Sequence, residues 1–305
     1  MKKYFDLQMF AAGDNNDQAA RSYQLEFKKL LQAVFKKQAY FADFFGGGIE
    51  ALDGVQENET AFYVKTSDIP CVIGEGYITD ANTAFGTGTA NSSRFGQMTE
   101  VIYENTPVNY TWGWNFHEGL DRFTVNNNLE AAVADRLELQ ARKKTGKFNA
   151  KHGAFISASA GHTEPLTGYT ADAVLALFNN LSAYYTQIEA VGVKKAKVKS
   201  ALYNAIVDHP LMTSAKGSSA NVDENGVAKF KGFLIEEVPD SMFAEGECCY
   251  TYIAGVGKAF TGINTARTVE SEDFDGKKLQ GAGKAGEYIL PDNKKAVCKV
   301  TAPAA

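Results

Sequence analysis

The chain has 305 residues, of which 45% are hydrophobic and 22% are charged, and its formal net charge is −5 at pH 7. This composition is typical of globular proteins and suffices for one large domain or two modest ones. The negative net charge argues against sequence-specific binding of nucleic acid, because proteins that bind nucleic acid in this way are usually basic. No apolar run approaches the roughly 20 residues that a membrane-spanning helix needs, so we expect no membrane partner.

Two features bear on the cellular compartment. Residues 1–13 only faintly resemble a signal peptide, since Asp6 and Gln8 interrupt a short apolar stretch. The four cysteines lack CxxC spacing, and the residues around them alternate as in strands. We therefore expect buried free thiols and a reducing compartment. The cysteines are Cys71, Cys248, Cys249 and Cys298.

A first helix is predicted from about residue 17 to residue 45, because apolar side chains recur there at helical spacing. Gly46-Gly47-Gly48 ends it. Two interpretations stay open: a surface helix packed on its own domain, or an arm that binds a partner. In the second case we expect a chain without residues 1–45 to fold but not to assemble. The contact residues would be Phe27, Leu31 and Phe35.

Residues 46–116 are predicted to form an extended hairpin limb. Nine glycines lie between residues 46 and 96, and extended aromatic runs at 60–66 and 100–116 flank the glycine-rich middle of the limb. A lone two-stranded hairpin is marginally stable in water, because it buries few side chains against the cost of ordering its backbone. The limb therefore needs a surface to lie on, which another copy of the chain can supply.

The aromatic side chains of the limb are the second set of candidate contact residues between copies. They alternate as on one face of a strand, which favours a buried strand or an interface over a base-stacking platform. The candidates are Tyr63, Tyr103, Tyr110, Trp112 and Trp114.

The rest of the chain alternates helices and strands. A long helix is predicted from Asn126-Asn127-Asn128 to about Phe148, with Leu129, Val133 and Leu137 on one face. Its lysines lie towards its carboxyl end, where positive charge interacts favourably with the helix dipole. We predict a loop at 154–168, a helix at 170–190, a strand at 195–201, a short helix at 202–207 and a loop at 213–226. Strands are predicted at 229–238, 248–253, 259–260, 265–270, 286–290 and 296–300.

A search for catalytic chemistry finds no motif with the required spacing. No two of the four histidines stand at metal-ligand spacing. The glycine pairs at 86–91 and 255–260 fail the dinucleotide and phosphate-loop patterns. Adjacent Glu236 and Glu237 point to opposite faces of a strand and are expected at a solvated edge. We predict no catalytic residue, metal or cofactor; an enzyme with a cryptic site stays an alternative.

Four segments and the order of the elements carry a resemblance to the major capsid proteins of tailed bacteriophages, which have the Hong Kong 97 fold. Segment 7–11 (LQMFA) resembles starts common in capsid proteins of phages with Gram-positive hosts. Segments 197–206 (KVKSALYNAI), 231–240 (KGFLIEEVPD) and 252–259 (YIAGVGKA) resemble strand and short-helix segments of the same family.

The resemblance implies an α+β fold with four parts. These are an N-terminal arm at 1–45, an extended limb or E-loop at 46–116, a peripheral domain with the long spine helix at 117–165 and 262–290, and an axial domain at 166–261 and 291–305. Some members of the family cross-link neighbouring subunits through a limb lysine. Lys65 lies near the limb base, so we do not expect that cross-link here.

The function implied by the resemblance is structural. Copies of the chain would form hexamers and pentamers and assemble in the host cytoplasm into an icosahedral virion head that encloses double-stranded DNA. The implied partners are a separate scaffolding protein, a portal, and packaged DNA held by proximity without sequence readout. The alternatives are an encapsulin-like nanocompartment shell and a phage tail or adhesin protein.

Overall fold

The computed structural model describes residues 38–52, 59–67, 71, 73–79, 93–96, 98–125, 128–213, 221–222 and 228–303. The chain divides into two compact units. One is Gly54–Asn109, called the limb unit below, and the other combines Met1–Asp53 with Tyr110–Ala305 and is called the main unit. Phe27, Leu31, Phe35 and most of the predicted arm helix lie outside the described residues.

The described chain has strands at both ends, and its α-helices lie between the strand that ends at Asp121 and the strand that begins at Asn221. Two short 3₁₀ turns, Asp240–Met242 and Pro291–Ala296, complete the regular structure. In chain order the elements are β1 (Ile49–Ala51), β2 (Thr60–Thr66), β3 (Glu104–Asn109), β4 (Trp112–Asp121), α1 (Leu129–Ser159), β5 (His162–Pro165), α2 (Ala171–Gln187), β6 (Lys194–Val198), α3 (Ser200–Val207), α4 (Pro210–Thr213), β7 (Asn221–Val222), β8 (Ala228–Phe230), β9 (Phe233–Glu237), β10 (Glu247–Ile253), β11 (Gly257–Glu270), β12 (Gly276–Ile289) and β13 (Val297–Thr301).

The first sheet of the main unit has four strands in the order β1-β11-β12-β4. β1 runs parallel to β11, and the other neighbours are antiparallel. The sequence predicts only residues 286–290 of β12, because glycine is unfavourable in strands. The structure gives a reason for two of these glycines. Gly281 and Gly283 lie directly opposite Phe116 and Trp114, and a Cβ would come within 2.3 Å and 2.6 Å of the two rings.

The long helix α1 extends well beyond its predicted end near residue 148. Its 31 residues give a length of about 46 Å at 1.5 Å per residue. The predicted loop at 154–168 is wrong at its start, because Ile156 is fully buried against Phe41 and Phe44 in one hydrophobic cluster. The helix has no basic residue in its last turn, so the lysines expected to suit its dipole lie in mid-helix. Leu137, predicted to be buried, is 39% exposed.

The second sheet of the main unit has seven strands in the order β5-β13-β10-β6-β9-β8-β7. Helix α2 packs on it through the predicted inward face, which is buried: Val174, Leu177, Phe178, Leu181 and Tyr185. Thr170 caps this helix as predicted, with its hydroxyl accepting a hydrogen bond from the Ala173 amide. The single strand predicted at 229–238 is wrong. Lys231 and Gly232 have φ angles of 49° and 85°, which turn the chain into the β8–β9 hairpin.

Residues 38–45 of the predicted arm belong to the core of the main unit. Phe41 and Phe44 are fully buried, and Phe44 packs edge-on against Tyr252 with ring centroids 4.9 Å apart. The segment forms successive turns, and it ends at Gly46 and Gly47, whose φ angles are positive. A truncation meant to leave a folded subunit must therefore stop before residue 38, and the prediction that residues 1–45 are dispensable for folding is wrong.

The close approach of α1 to the 3₁₀ turn at Asp240–Met242 gives a first testable prediction. A Cβ at Gly153 would lie 2.3 Å from the backbone oxygen of Met242. Helix propensity alone favours alanine there by about 1 kcal/mol. Because the clash outweighs propensity, we expect Gly153→Ala to lower the free energy of unfolding by about 1–3 kcal/mol.

Chemical denaturation of the unassembled chain measures this change. Gly168→Ala is the control, because a Cβ at Gly168 meets no atom within 4 Å. An increase in stability for Gly153→Ala, comparable with the propensity gain, would contradict the packing described.

Candidate assembly interface

The limb unit contains a two-stranded antiparallel sheet, in which β2 pairs with β3 from Thr60↔Asn109 to Thr66↔Glu104. Thr66 and Thr106 share a hydrogen bond between their hydroxyls. Among the described residues of this unit, Val108 is the one buried apolar side chain, at 6% exposure. The limb unit therefore orders a hairpin with very little core of its own, as its sequence predicts.

Large apolar side chains of the limb unit face solvent instead. Three of them are consecutive: Val101, Ile102 and Tyr103 are 53%, 57% and 66% exposed. Full burial of such a side chain stabilises a protein by about 1.5–3 kcal/mol, and contiguous exposed apolar patches mark interaction sites. Among the described residues of the limb unit the set is Tyr63, Ile73, Tyr77, Ile78, Phe95, Met98, Val101, Ile102 and Tyr103.

A small contact cluster joins two distant stretches of the limb unit. The Ile78 amide donates to the Arg94 carbonyl oxygen at 3.0 Å. The rings of Tyr77 and Phe95 meet edge-on at 5.2 Å, and the Arg94 guanidinium lies 5.9 Å from the Tyr77 ring. Both aromatic rings stay largely exposed, so this cluster orders the chain without burying it.

The aromatic residues predicted to contact another copy divide into two groups. Tyr63 and Tyr103 are half or more exposed in the limb unit, and their role between copies stays a prediction. Tyr110, Trp112 and Trp114 lie in the main unit. The Tyr110 ring packs against Phe260 at 5.7 Å, and the two tryptophans pack with Phe148 in a cluster of the chain's own core.

Trp114, which is 8% exposed, is thus buried within its own chain, as the buried-strand alternative predicts. Contact of Tyr110, Trp112 and Trp114 with another copy stays a prediction. The sequence shows a continuous aromatic run at 100–116 and does not show where the run passes from the limb into a four-stranded sheet. The glycines that seat the rings stand far along the chain in β12. The sequence analysis missed one signal: a glycine-rich segment far along the chain can pair with an aromatic strand and make room for its rings.

A buried polar network fixes the start of β4 to β12 and α1. The Glu287 carboxylate accepts hydrogen bonds from Trp112 Nε1 at 3.0 Å and from the Thr111 hydroxyl at 3.4 Å. His152 Nδ1 lies 2.9 Å from the same carboxylate, and both side chains are almost fully buried. His152 is thus engaged in a buried contact with Glu287 that joins α1 to β12.

A second charged cluster ties the turn before the limb to the seven-stranded sheet. Lys197 is 2% exposed and pairs with Asp43 at 3.1 Å and with Glu236 at 2.5 Å. The Tyr252 hydroxyl donates to Asp43 at 2.8 Å. Burial alone raises the pKa of Glu236, but the hydrogen bonds and charges of Lys197 and Lys195 outweigh burial and lower it. Glu236 is therefore a structural ion-pair residue, and its predicted place at a solvated edge is wrong.

A groove of about 370 Å³ runs between α1 and β4 in the main unit. Trp114, Phe116 and Leu139 provide its apolar surface. Four basic side chains, one carboxylate and two amides complete the lining: Arg136, Lys143, Lys144, Lys147, Glu118, Asn115 and Gln140.

Several of these charges are engaged within the chain. Arg136 donates two hydrogen bonds to Glu118, at 2.6 and 2.8 Å, and this contact lowers the pKa of Glu118. Lys144 Nζ lies 3.8 Å from the Trp114 ring centroid, and burial lowers the pKa of Lys144. Lys143 and Lys147 are exposed at the rim, although Lys147 also donates to the Gly113 carbonyl at 2.9 Å.

Other chemistry-bearing groups are dispersed. The described residues contain no group of three or more His, Cys, Asp or Glu placed to hold a metal ion. No helix among them combines the length and apolar character needed to cross a bilayer. Three cysteines are buried as predicted, but Cys71 is exposed, so the prediction of a buried thiol is wrong at that position.

Comparison with known proteins gives the fold. No protein-family profile and no curated protein matches the chain. The chain is similar to the capsid structure of the cyanophage P-SCSP1u, with a TM-score of 0.62 and 10% identity over 99% of this chain and 100% of that one. It is also similar to the PhiM1 mature capsid (0.61, 8% identity, 89% of each chain) and to Mycobacterium phage Che8 (0.57, 14% identity, 94% and 98%).

At these identities the likeness establishes the fold. The chain has the α+β fold of phage capsid structures across nearly its whole length, and the predicted fold class is confirmed. The predicted division into arm, peripheral and axial parts stays a prediction.

The cysteines give a prediction that tests exposure of the limb. Burial raises the pKa values of Cys248 and Cys298 to about 11, and burial also raises the pKa of Cys249. At about pH 8 these three thiols stay protonated and unreactive, because the thiolate is the nucleophile. In the unassembled chain we expect one fast alkylation, at Cys71, which is exposed.

Mass spectrometry after brief alkylation counts the modified thiols. Cys71→Ser should remove the fast reaction, and denaturant should expose all remaining cysteines. Rapid modification of Cys248 or Cys298 in the folded chain would show that the seven-stranded sheet does not protect them.

Proposed function

We propose that this chain is a tailed-phage major capsid protein, whose copies assemble into a closed protein shell. The observation that carries the proposal is a capsid fold over almost the entire chain joined to a limb unit that exposes a continuous apolar run. A surface of this kind is costly to leave in water and is covered when another subunit lies on it. The function is therefore structural, and no turnover is assigned to the chain.

Many weak contacts suffice for such a shell. A millimolar affinity corresponds to only about 4 kcal/mol, and burial of two or three half-exposed apolar side chains is of that order. Each copy in a closed shell touches several neighbours, so individually weak contacts act together. Repeated head-to-tail contacts that close into rings are the symmetry through which identical chains build such assemblies.

The more detailed parts of the proposal follow from the resemblance to phage capsid proteins and not from contacts within this structure. They include hexamers and pentamers, a separate scaffolding protein, a portal, packaged double-stranded DNA, assembly in the host cytoplasm and a Gram-positive host. An encapsulin-like shell is the alternative of the same class, and its contents would be protein cargo. Nuclease-resistant DNA inside particles supports a phage head, whereas enclosed protein without DNA supports the alternative.

The exposed apolar run gives the test of the proposal. We expect Val101→Ser, Ile102→Ser and Tyr103→Ser together to leave the subunit folded, because all three side chains are more than half exposed. Losing their burial between copies should cost more than about 1.4 kcal/mol, and thus lower the assembled fraction at least about tenfold. Sedimentation velocity measures the assembled fraction, and circular dichroism checks the fold.

Phe123→Ser is the matched control. Phe123 is 64% exposed, close to Tyr103, but it lies in the main unit. Normal assembly of the triple limb variant, at the concentration at which the unmodified chain assembles, would contradict the limb's role. An unmodified chain that stays monomeric at high concentration, with and without a scaffolding partner, would contradict the proposed function itself.

A further inference from the structure

We propose that Lys197 and Asp43 of the same chain join in a covalent amide (isopeptide) bond, with Glu236 moving the protons. Lys197 and Glu236 are neighbours in the seven-stranded sheet, and Asp43 belongs to the turn before β1. All three residues lie in the main unit. The bond is therefore internal to one subunit, unlike a cross-link between subunits, and the inference goes beyond the proposed function.

The pairing of three strands places the charged groups on one face of the seven-stranded sheet. Lys197 in β6 stands directly beside Glu236 in β9, and Lys195 in β6 stands beside Tyr252 in β10. Side chains alternate along a strand, so Lys195 and Lys197 share a face and Val198 points to the other. Val198 is buried in the cluster that α2 covers. The charged groups therefore lie on the face away from α2.

The turn before β1 packs on that face and presents Asp43 to the lysines. The Gly255 amide donates to the Asp43 carbonyl oxygen at 2.8 Å, and the Gly257 amide donates to the Phe44 carbonyl oxygen at 3.0 Å. The Phe44 ring is fully buried and packs edge-on against Tyr252. The Asp43 side chain is thus held from both sides, which is the fixed geometry that a reaction between two side chains requires.

The two oxygens of the Asp43 carboxylate have different surroundings. The Tyr252 hydroxyl donates a hydrogen bond to Oδ1 at 2.8 Å. Oδ2 is buried and accepts no hydrogen bond from the part of the chain that the structure describes, although Lys197 Nζ lies 3.1 Å from it. The same Nζ donates to Oε2 of Glu236 at 2.5 Å. An amine nucleophile, a carboxyl carbon, a proton acceptor and a donor for the developing oxyanion are therefore in contact.

Burial favours the amide over the ion pair. The side chain of Lys197 is 2% exposed and that of Asp43 is 21% exposed. Two buried charges lose their hydration, and their mutual attraction repays this loss only in part. Condensation replaces both charges by one neutral amide. Glu236 is not left unpaired, because Lys195 Nζ lies 3.0 Å from its carboxylate.

The reaction is a condensation that needs no oxidant and no co-reactant. Glu236 carries one proton from the Lys197 ammonium to Oδ2 of Asp43. The neutral amine attacks Cγ of Asp43, and the electron pair of the carbonyl moves to Oδ1, where the Tyr252 hydroxyl stabilises the negative charge. Glu236 then carries a second proton from the nitrogen to Oδ2, the Cγ–Oδ2 bond breaks, and water leaves. One ammonium and one carboxylate become one amide and one water molecule.

The bond has a structural consequence for the limb. Asp43 precedes the limb unit in the chain and Lys197 follows it, so the bond closes a covalent loop that contains the whole limb unit. A chain cut once by a protease between residues 54 and 109 should therefore run as one band on reducing, denaturing electrophoresis. Two separate fragments after such a cut would contradict the bond.

The mass of the unmodified folded chain, measured in denaturant, tests the bond directly. We expect most molecules to be lighter than their sequence by one water molecule. Trypsin does not cleave after an acylated lysine, so tandem mass spectrometry of the digest should identify a branched peptide that joins Asp43 to Lys197. The full mass after prolonged incubation overturns the inference. Loss of water without the branched peptide also overturns it, because a cyclic imide at Asp43 has the same mass.

Conservative variants assign the roles, with circular dichroism to check the fold. Lys197→Arg keeps the positive charge without the nucleophilic amine, so it should give no branched peptide. Glu236→Gln and Tyr252→Phe should each lower the joined fraction at a fixed time at least about tenfold, since proton transfer and oxyanion stabilisation contribute that much or more to a rate. A joined fraction that Glu236→Gln leaves unchanged would contradict its role.

Lys195→Arg is the matched control. Lys195 is the other lysine beside Asp43, with Nζ at 3.6 Å, and replacing it should leave the joined fraction within about twofold, because distant or non-reacting positions contribute little to the coupling measured. A branched peptide through Lys195, or loss of the bond in a folded Lys195→Arg chain, would overturn the assignment of Lys197.

The outcomes separate this inference from the proposed function. Closed shells built from chains of full mass overturn the bond and leave the capsid function standing. A chain that carries the bond and never assembles supports the inference and overturns the proposed function.

Discussion

The solvent exposure of apolar side chains on the limb unit is the constraint on which this structure depends. Val101, Ile102 and Tyr103 follow one another in the chain and remain more than half exposed, while the hairpin beside them buries one apolar side chain among its described residues. Such a unit does not gain enough from its own contacts to explain its sequence. In the proposed shell, the surface of another copy completes both the stability and the role of this unit.

The main unit supplies a rigid platform for that role. Trp114 and Phe116 are seated over glycines of β12, and the Glu287 carboxylate joins β4 to α1 through Trp112 and His152. Trp114 of the main unit is thus buried in the chain itself, whereas Tyr63 and Tyr103 of the limb unit stay exposed.

The sequence was most informative where a local pattern matched the structure. The helical period of α2 predicted its buried face from Val174 to Tyr185, and the weak core of the limb followed from glycine content and alternation. The errors arose where a distant contact reversed a local preference. Gly281 and Gly283 are unfavourable for strand formation, but they make room for the rings of Phe116 and Trp114. Gly153 lies inside α1 because a backbone oxygen approaches it. Because α1 was predicted to end near residue 148, the lysines of the groove were interpreted as charges that stabilise the end of the helix. The groove itself could not be predicted, since it forms only where β4 packs beside α1.

An electron cryo-microscopy reconstruction of particles formed by the full-length chain tests the central claim most directly. We predict closed shells in which Val101, Ile102 and Tyr103 of each copy are covered by a neighbouring copy. A chain that remains monomeric, or shells in which this segment faces solvent, would contradict the account of the limb as a surface completed by another copy.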